Sequence, residues 1–226
     1  MAEANGPPPT AGPVQPPLFE DAPSAPLRVG VLVSGRGSNL GALLAACADG
    51  TVPAAVVLVV CNHSGAGALD IAAAHGVPAV VIPRAGHPTR AAQQAAMIAA
   101  LDEQRVDLVV CAGFDRILEP PFCAHYAGRL INVHPALLPA FGGGLHAIAD
   151  ALSYGVRVTG VTVHFVTDDL DNGPIILQEA VPVLPDDTPA TLAPRLHAVE
   201  HRLLPEAVRL IAEGRLRVEG RRVIIT

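Results

Sequence analysis

Short, unbroken apolar runs rich in valine recur along the chain from Arg28 onward, and alanine- and leucine-rich stretches separate them. A strand with one solvent-facing side alternates apolar and polar residues, whereas a strand covered on both faces is apolar throughout. The runs in this chain are of the second kind, and the stretches between them have the composition of connecting helices. The pattern therefore predicts an α/β fold with a doubly wound, mostly parallel sheet.

Five of these runs are predicted as parallel strands: Arg28–Val33, Ala54–Cys61, Ala79–Ile82, Val106–Ala112 and Leu130–Val133. Helices are predicted at Asn39–Ala48, Ala68–His75, Thr89–Gln104 and Ala147–Ser153. Two further strands, Val158–Val166 and Pro174–Val183, follow each other without a helix between them. Parallel neighbours need a long crossover connection, so this part of the sheet is predicted to be antiparallel or mixed.

A long helix is predicted near the end of the chain, with Thr188 as its cap and Pro189 in its first position. Pro194 and Pro205 fall inside this helix and are expected to kink or divide it, because proline lacks the backbone N–H that a helix interior requires. A short hairpin is predicted around Glu219–Gly220.

Composition excludes several functions for this chain of 226 residues. The formal net charge of −6 argues against nucleic-acid and anionic-membrane binding, which need a basic face. The apolar runs are too short to span a bilayer. All 15 basic residues are arginine, and without lysine the chain cannot form a Schiff base, attach pyridoxal phosphate or build a Walker A loop.

The first 26 residues differ in composition from the rest. They hold eight of the 22 prolines and no basic residue, whereas secretory signals and transit peptides carry positive charge. Residues 1–26 are therefore predicted to be a disordered, proline-rich leader, and residues 27–226 a single folded domain. The four cysteines lack metal-ligand spacing and are predicted to be reduced thiols of a cytoplasmic protein.

A glycine-containing turn, Ser34–Leu40, joins the first predicted strand to the first helix. Free N–H groups at such a helix start bind anions. A dinucleotide-binding turn needs a third glycine where Leu40 stands and an acidic residue after the second strand, which ends in Cys61-Asn62. The turn therefore predicts a site for one phosphate monoester, to which Ser38 and Asn39 add side-chain donors. The alternative is a turn that only fits strand to helix.

Polar side chains follow two later strands. Asn132 and His134 end the fifth strand, and Asp171 lies in a polar loop between two apolar strands. An amide, an imidazole and a carboxylate in one crevice suit a reaction that forms and collapses a tetrahedral oxyanion. The alternative for His134 is a hydrogen-bonded core histidine. His146 and His164 flank the same crevice, and the histidine spacing predicts no metal site.

Four motifs, in chain order, resemble those of the phosphoribosylglycinamide formyltransferase family, the folate-dependent enzymes of purine synthesis. The resemblance extends from about Arg28 to Leu216. The motifs are S-G-R-G-S-N-L (34–40), A-G-F-D-R-I-L (112–118), H-Y-A-G-R-L-I-N-V-H-P-A-L-L-P (125–139) and G-V-T-V-H-F-V-T-D-D-L-D-N-G-P-I-I (160–176). The last two are shared with other formyltetrahydrofolate enzymes, and the first points to glycinamide ribonucleotide.

The resemblance implies a formyltransferase catalytic domain that takes the formyl group from 10-formyltetrahydrofolate, as a co-substrate and without a metal. It implies a catalytic trio of Asn132, His134 and Asp171. It places phosphoribosylglycinamide on Gly37, Ser38, Asn39, Arg90 and Glu200. It places the folate on Arg116, Ile117, Leu118, Asn132, Val166 and Asp171. The expected partners are small molecules, with a homodimer as one possible assembly.

Two alternatives stay open for the function: a formyltetrahydrofolate hydrolase, and a catalytically silent folate- or nucleotide-binding module. A methionyl-tRNA formyltransferase is disfavoured, because the chain lacks a basic face for tRNA. Three positions depart from the family pattern. Asp115 replaces a residue that is usually apolar, Arg36 replaces a smaller or neutral one, and the turn Phe141–His146 is one residue longer than usual.

Overall fold

The computed structural model describes residues 25–226. All but the last two residues of the predicted proline-rich leader, residues 1–26, lie outside the described residues. The strands of the central sheet are β1 (Leu27–Val33), β2 (Ala54–Cys61), β3 (Ala79–Val81), β4 (Leu108–Cys111), β5 (Leu130–His134), β6 (Val158–Phe165) and β7 (Ile175–Pro182). The predicted terminal hairpin is confirmed as β8 (Leu216–Glu219) and β9 (Arg222–Ile225).

Six helices accompany these strands in the described part of the chain. They are α1 (Ser38–Ala48), α2 (Gly67–Ala74), α3 (Arg90–Glu103), α4 (Pro120–His125), α5 (Ala147–Tyr154) and α6 (Pro189–Ala212). Buried side chains of α1, α2 and α6 belong to the core on one face of the sheet. Those of α3 and α4 belong to the core on the other face.

The sheet has the strand order β3-β2-β1-β4-β5-β6-β7. Strands β1 to β5 are parallel, and β6 and β7 each run antiparallel to the strand before them. The predicted doubly wound α/β class, with its antiparallel last strands, is confirmed. Strand order reverses between β1 and β4, and in open α/β sheets ligands bind beyond the carboxyl ends of the strands at such a point.

Two helices differ from the sequence-based expectations. Helix α4 was not predicted, because six residues that begin with two prolines offer no helical periodicity. Of the two outcomes expected for Pro194 and Pro205, a kink or a division of the last helix, the division does not occur, since α6 continues through both for 24 residues. Each interior proline costs about 3 kcal/mol. Ten buried apolar residues of α6 offset that cost by contributing apolar area to the core.

Gly173 allows β7 to return tightly against β6 after the loop that carries Asp171. A Cβ atom on Gly173 would lie 1.7 Å from the carbonyl oxygen of Phe165, closer than any contact allows. We therefore expect Gly173→Ala to lower the free energy of unfolding by about 2 kcal/mol or more, because the backbone must shift. Urea unfolding measures this change. Gly65→Ala is the matched control, since its Cβ meets open space; equal stability of the two variants would contradict the packing argument.

No helix within residues 25–226 combines the length and the apolar character needed to cross a membrane.

Candidate functional site

A cleft of about 570 Å³ opens at the carboxyl ends of β4 and β5. Its walls come from the segment after β4, from the end of β5, from the loop before α5 and from the loop between β6 and β7. Polar residues that line it include Arg90, Asp115, Arg116, Asn132, His134 and Asp171. The cleft therefore lies at the edge of the sheet where the strand order predicts a ligand.

The structure brings the three residues of the predicted trio together. Asn132 and His134 are two residues apart on β5, so their side chains lie on one face of the sheet. Asp171 has a left-handed backbone with φ of 51°, a conformation that aspartate tolerates better than most residues. Its Oδ2 lies 3.6 Å from Nδ1 of His134, and the two side chains are only 10% and 6% exposed. Imidazole and carboxylate thus form a shielded pair.

His164 on β6 faces Asn132 across the antiparallel ladder. Burial lowers the pKa of His164, so its ring is neutral. Its Nδ1–H donates to the Phe165 carbonyl at 2.9 Å, which leaves Nε2 as the acceptor for the Asn132 amide at 3.3 Å. The same Nε2 is 3.7 Å from Oδ1 of Asp171. His164 therefore orients the amide of Asn132 from the neighbouring strand β6. This is its expected place beside the crevice.

The loop before α5 closes over the trio through its backbone. The carbonyl oxygen of Phe141 lies 2.9 Å from Nε2 of His134, and the Gly143 N–H donates to Oδ2 of Asp171 at 2.8 Å. His134 thus has an oxygen beside each ring nitrogen, the Phe141 carbonyl 2.9 Å from Nε2 and the Asp171 carboxylate 3.6 Å from Nδ1. A carboxylate beside an imidazole stabilises positive charge that develops on the ring during a proton transfer.

His146 does not join this group. It is the exposed N-cap residue of α5, and it is not among the residues that line the cleft. Three consecutive glycines, Gly142–Gly144, carry the chain past the trio before the helix begins.

The predicted phosphate turn lies beside the cleft rather than in its walls. Gly37 has φ of 81°, and a Cβ there would lie 2.7 Å from Ala68, so only glycine fits between α1 and α2. Within the described residues, no side chain caps the N-terminus of α1, and its first N–H groups are available to an anion.

The side chain of Asn39 joins the turn to the last helix. One N–H of its Nδ2 donates to Oε2 of Glu200 at 2.8 Å, and both residues are buried. The turn itself presents its backbone N–H groups and the exposed Ser38. Arg90 lies in the cleft wall at the start of α3 and pairs with Glu119 at 3.9 Å.

Arg116, Ile117, Leu118 and Val166, the predicted folate residues outside the trio, line the cleft. Sequence reasoning missed the residue that holds this segment in place. Gln94 of α3 is buried; its Nε2 donates to the Ile117 carbonyl at 3.0 Å, and its Oε1 accepts from the Glu119 N–H at 2.8 Å. A signal was present, because residues 94, 97 and 101 share one helix face and only the first is polar.

Residues 25–226 contain no group of three or more histidine, cysteine, aspartate or glutamate side chains arranged to hold a metal ion.

Residues 27–208 match the model of the formyl transferase family. The phosphoribosylglycinamide formyltransferase of Mycobacterium tuberculosis is 49% identical over 199 residues, which cover 88% of this chain and 91% of that protein. The structure of glycinamide ribonucleotide transformylase 1 from Symbiobacterium toebii superposes with a TM-score of 0.87 at 48% identity, covering 90% of this chain and 95% of that one. A formyltetrahydrofolate deformylase from Pseudomonas syringae superposes with a TM-score of 0.83 at 27% identity; 89% of this chain and 66% of that one are covered.

Proposed function

The chain belongs to the formyl transferase family, and from this premise we propose that it is a phosphoribosylglycinamide formyltransferase of purine synthesis. The family uses a formyl-folate as donor. The proposed reaction moves the formyl group from 10-formyltetrahydrofolate to the amine of 5′-phosphoribosylglycinamide and releases tetrahydrofolate. The observation that carries the proposal is the joint placement of Asn132, His134 and Asp171 in one cleft, beside a helix N-terminus open to a phosphate.

In the proposed mechanism the substrate amine attacks the formyl carbon and forms a C–N bond. The formyl oxygen becomes an oxyanion, which N–H groups of the Asn132 amide and the His134 ring stabilise. The Asp171 carboxylate, 3.6 Å from Nδ1 of His134, orients the ring and balances positive charge that develops on it during proton transfer. The intermediate collapses when the bond to N10 of the folate breaks; the amine loses a proton and N10 gains one, with the His134–Asp171 pair relaying the proton.

The two proposed substrate sites are neighbours, one centred on the phosphate turn beside the cleft and the other within the cleft. We assign the phosphoribosyl group to the backbone of Gly37 and Asn39, to Ser38, and to Arg90 and Glu200. The folate belongs beside Arg116–Leu118, Val166 and the trio. The cleft volume of about 570 Å³ lies within the usual range for small-molecule sites and supports an extended ligand.

One experiment separates this function from its rivals. Purified protein is mixed with 10-formyltetrahydrofolate, with and without glycinamide ribonucleotide, and tetrahydrofolate release is followed. We expect release that depends on the amine. Release without the amine would identify a hydrolase, an alternative that gains some support from the shared fold of the Pseudomonas syringae deformylase. No release under either condition would favour a silent binding module.

Gln94 supplies a prediction about the folate side of the cleft. Gln94→Leu removes the hydrogen bonds to the Ile117 carbonyl and the Glu119 N–H, which hold the segment Arg116–Leu118 and the residue after it, while keeping a buried side chain of similar size. We expect the KM for 10-formyltetrahydrofolate to rise about fivefold, because a neutral hydrogen bond contributes about 1 kcal/mol. The KM for glycinamide ribonucleotide should stay within twofold. Gln93→Leu is the matched control, since Gln93 bonds the Ile82 carbonyl instead; equal effects of both variants would contradict the assignment.

The remaining expectations are part of the same proposal: small-molecule substrates alone, without nucleic acid or membrane, a cytoplasmic location and a possible homodimer. Sedimentation of the purified chain over a range of concentrations measures its state of association.

A further inference from the structure

Asp115, which follows β4, accepts hydrogen bonds from residues that follow two other strands at the carboxyl edge of the sheet. Its Oδ1 accepts from the Ser34 hydroxyl after β1 at 2.9 Å and from Nδ2 of Asn62 after β2 at 2.7 Å. Nε2 of His63 lies 3.0 Å from Oδ2. The Asp115 N–H in turn donates to the Ser34 oxygen at 2.9 Å. One carboxylate therefore links β1, β2 and the segment that follows β4.

The carboxylate is ionised. Burial opposes the charge, but hydrogen bonds from Asn62, His63 and Ser34, with the nearby charge of Arg116, hold the pKa of Asp115 below its usual value. The Arg116 Nε lies 3.4 Å from Oδ1. A negative charge beside a phosphate site would repel its ligand, and Arg116 offsets that charge.

Asp115 lies between the two halves of the candidate site. It lines the cleft, and Ser34 is the first residue of the phosphate turn. The other side of that turn is fixed by α2, because the Ala68 N–H donates to the Gly35 carbonyl at 3.1 Å and Gly37 packs against Ala68. The turn is thus held at one side by α2 and at the other by Asp115.

Asn62 depends on this carboxylate. It is 5% exposed, and within the described residues its Oδ1 has no hydrogen-bond partner. Loss of Asp115 would leave its Nδ2 without that acceptor as well. A buried amide without partners is unfavourable, so the end of β2 would rearrange next to the turn.

We infer that Asp115 is a positioning residue for the phosphorylated substrate, which sets the phosphate turn through Ser34 and Asn62. The inference rests on the proposed function. The carboxylate acts by hydrogen bonding, and its charge is secondary.

The test compares Asp115→Ala with Asp115→Asn in steady-state assays. The alanine variant should raise the KM for glycinamide ribonucleotide about tenfold, while kcat and the KM for 10-formyltetrahydrofolate stay within threefold. The asparagine variant keeps an acceptor for Ser34 and Asn62 and should stay within threefold throughout. Ser34→Ala should raise the same KM, and the double variant with Asp115→Ala should be no worse than the poorer single one.

Three results would overturn the inference: an unchanged KM in Asp115→Ala, a lowered KM in both Asp115 variants, or an equal loss in kcat and both KM values. If Asp115→Ala does not fold, the KM for glycinamide ribonucleotide of Ser34→Ala decides: a raised value supports the inference, and an unchanged value overturns it. Wild-type turnover is measured first, so that failure of the proposed function is recognised separately. Calorimetry then measures the affinity of the phosphate turn for inorganic phosphate. We expect Asp115→Ala to bind phosphate more weakly than Asp115→Asn.

Discussion

Replacement of His134 by alanine should lower kcat between about 100- and 1,000-fold, the usual cost of losing one oxyanion donor. The variant loses the ring that lies between the Phe141 carbonyl and Asp171. It keeps the phosphate turn, which lies outside the cleft walls, so the Kd for glycinamide ribonucleotide should stay within threefold. Single-turnover assays and calorimetry measure the two quantities.

The control for this variant is His75→Ala. His75 is exposed at the end of α2 and bonds only its own helix, at the Ile71 carbonyl. Its loss should leave kcat unchanged. Turnover of His134→Ala at the wild-type rate would remove His134 from the mechanism and with it the proposed role of Asp171.

Asp171→Asn should lower kcat about 100-fold although it changes the shape of the side chain very little. The amide oxygen can still accept the Gly143 N–H, so the loop stays closed. What disappears is the negative charge 3.6 Å from Nδ1 of His134, which balances positive charge on the buried ring when a proton passes through it. Pre-steady-state formyl transfer measures the loss.

Asp169→Asn is the matched control, because Asp169 is exposed in the same loop. The double variant His134→Ala/Asp171→Asn should be about as slow as His134→Ala alone, since residues that act as a unit are not additive. If the fold-losses in kcat of the two single variants multiply in the double variant, Asp171 acts independently of His134.

Much of the fold could be predicted from sequence because its strands are buried on both faces. Unbroken apolar runs that are short and rich in valine, such as Ala54–Cys61, favour central strands. The absence of a helix between β6 and β7 indicated the antiparallel end of the sheet. Helix α6 shows the limit of local rules. Its two interior prolines oppose a helix locally, and packing against the sheet outweighs them.

The part of the site that lies on one strand could also be predicted from a local pattern. Asn132 and His134 share a strand end, and a period of two places them on one face without further information. The bond from Asn132 to His164 depends on the register between β5 and β6, which no local pattern encodes. The contacts of Gln94 and Asp115 likewise join separate segments. His146 was misplaced because the length of a glycine-rich turn does not determine its path.

The hydrogen bond between Asn39 and Glu200 joins residues that are 161 positions apart. During synthesis helix α1 therefore leaves the ribosome long before Glu200, the residue that fixes its first turn, has been added to the chain. The anion site cannot reach its final form until α6 has been made and has docked. The hydrogen-bonded amide protons of α1 beyond its first turn should accordingly gain protection from hydrogen exchange together with those of α6. The anion site would then be completed last, although its own residues come early in the chain.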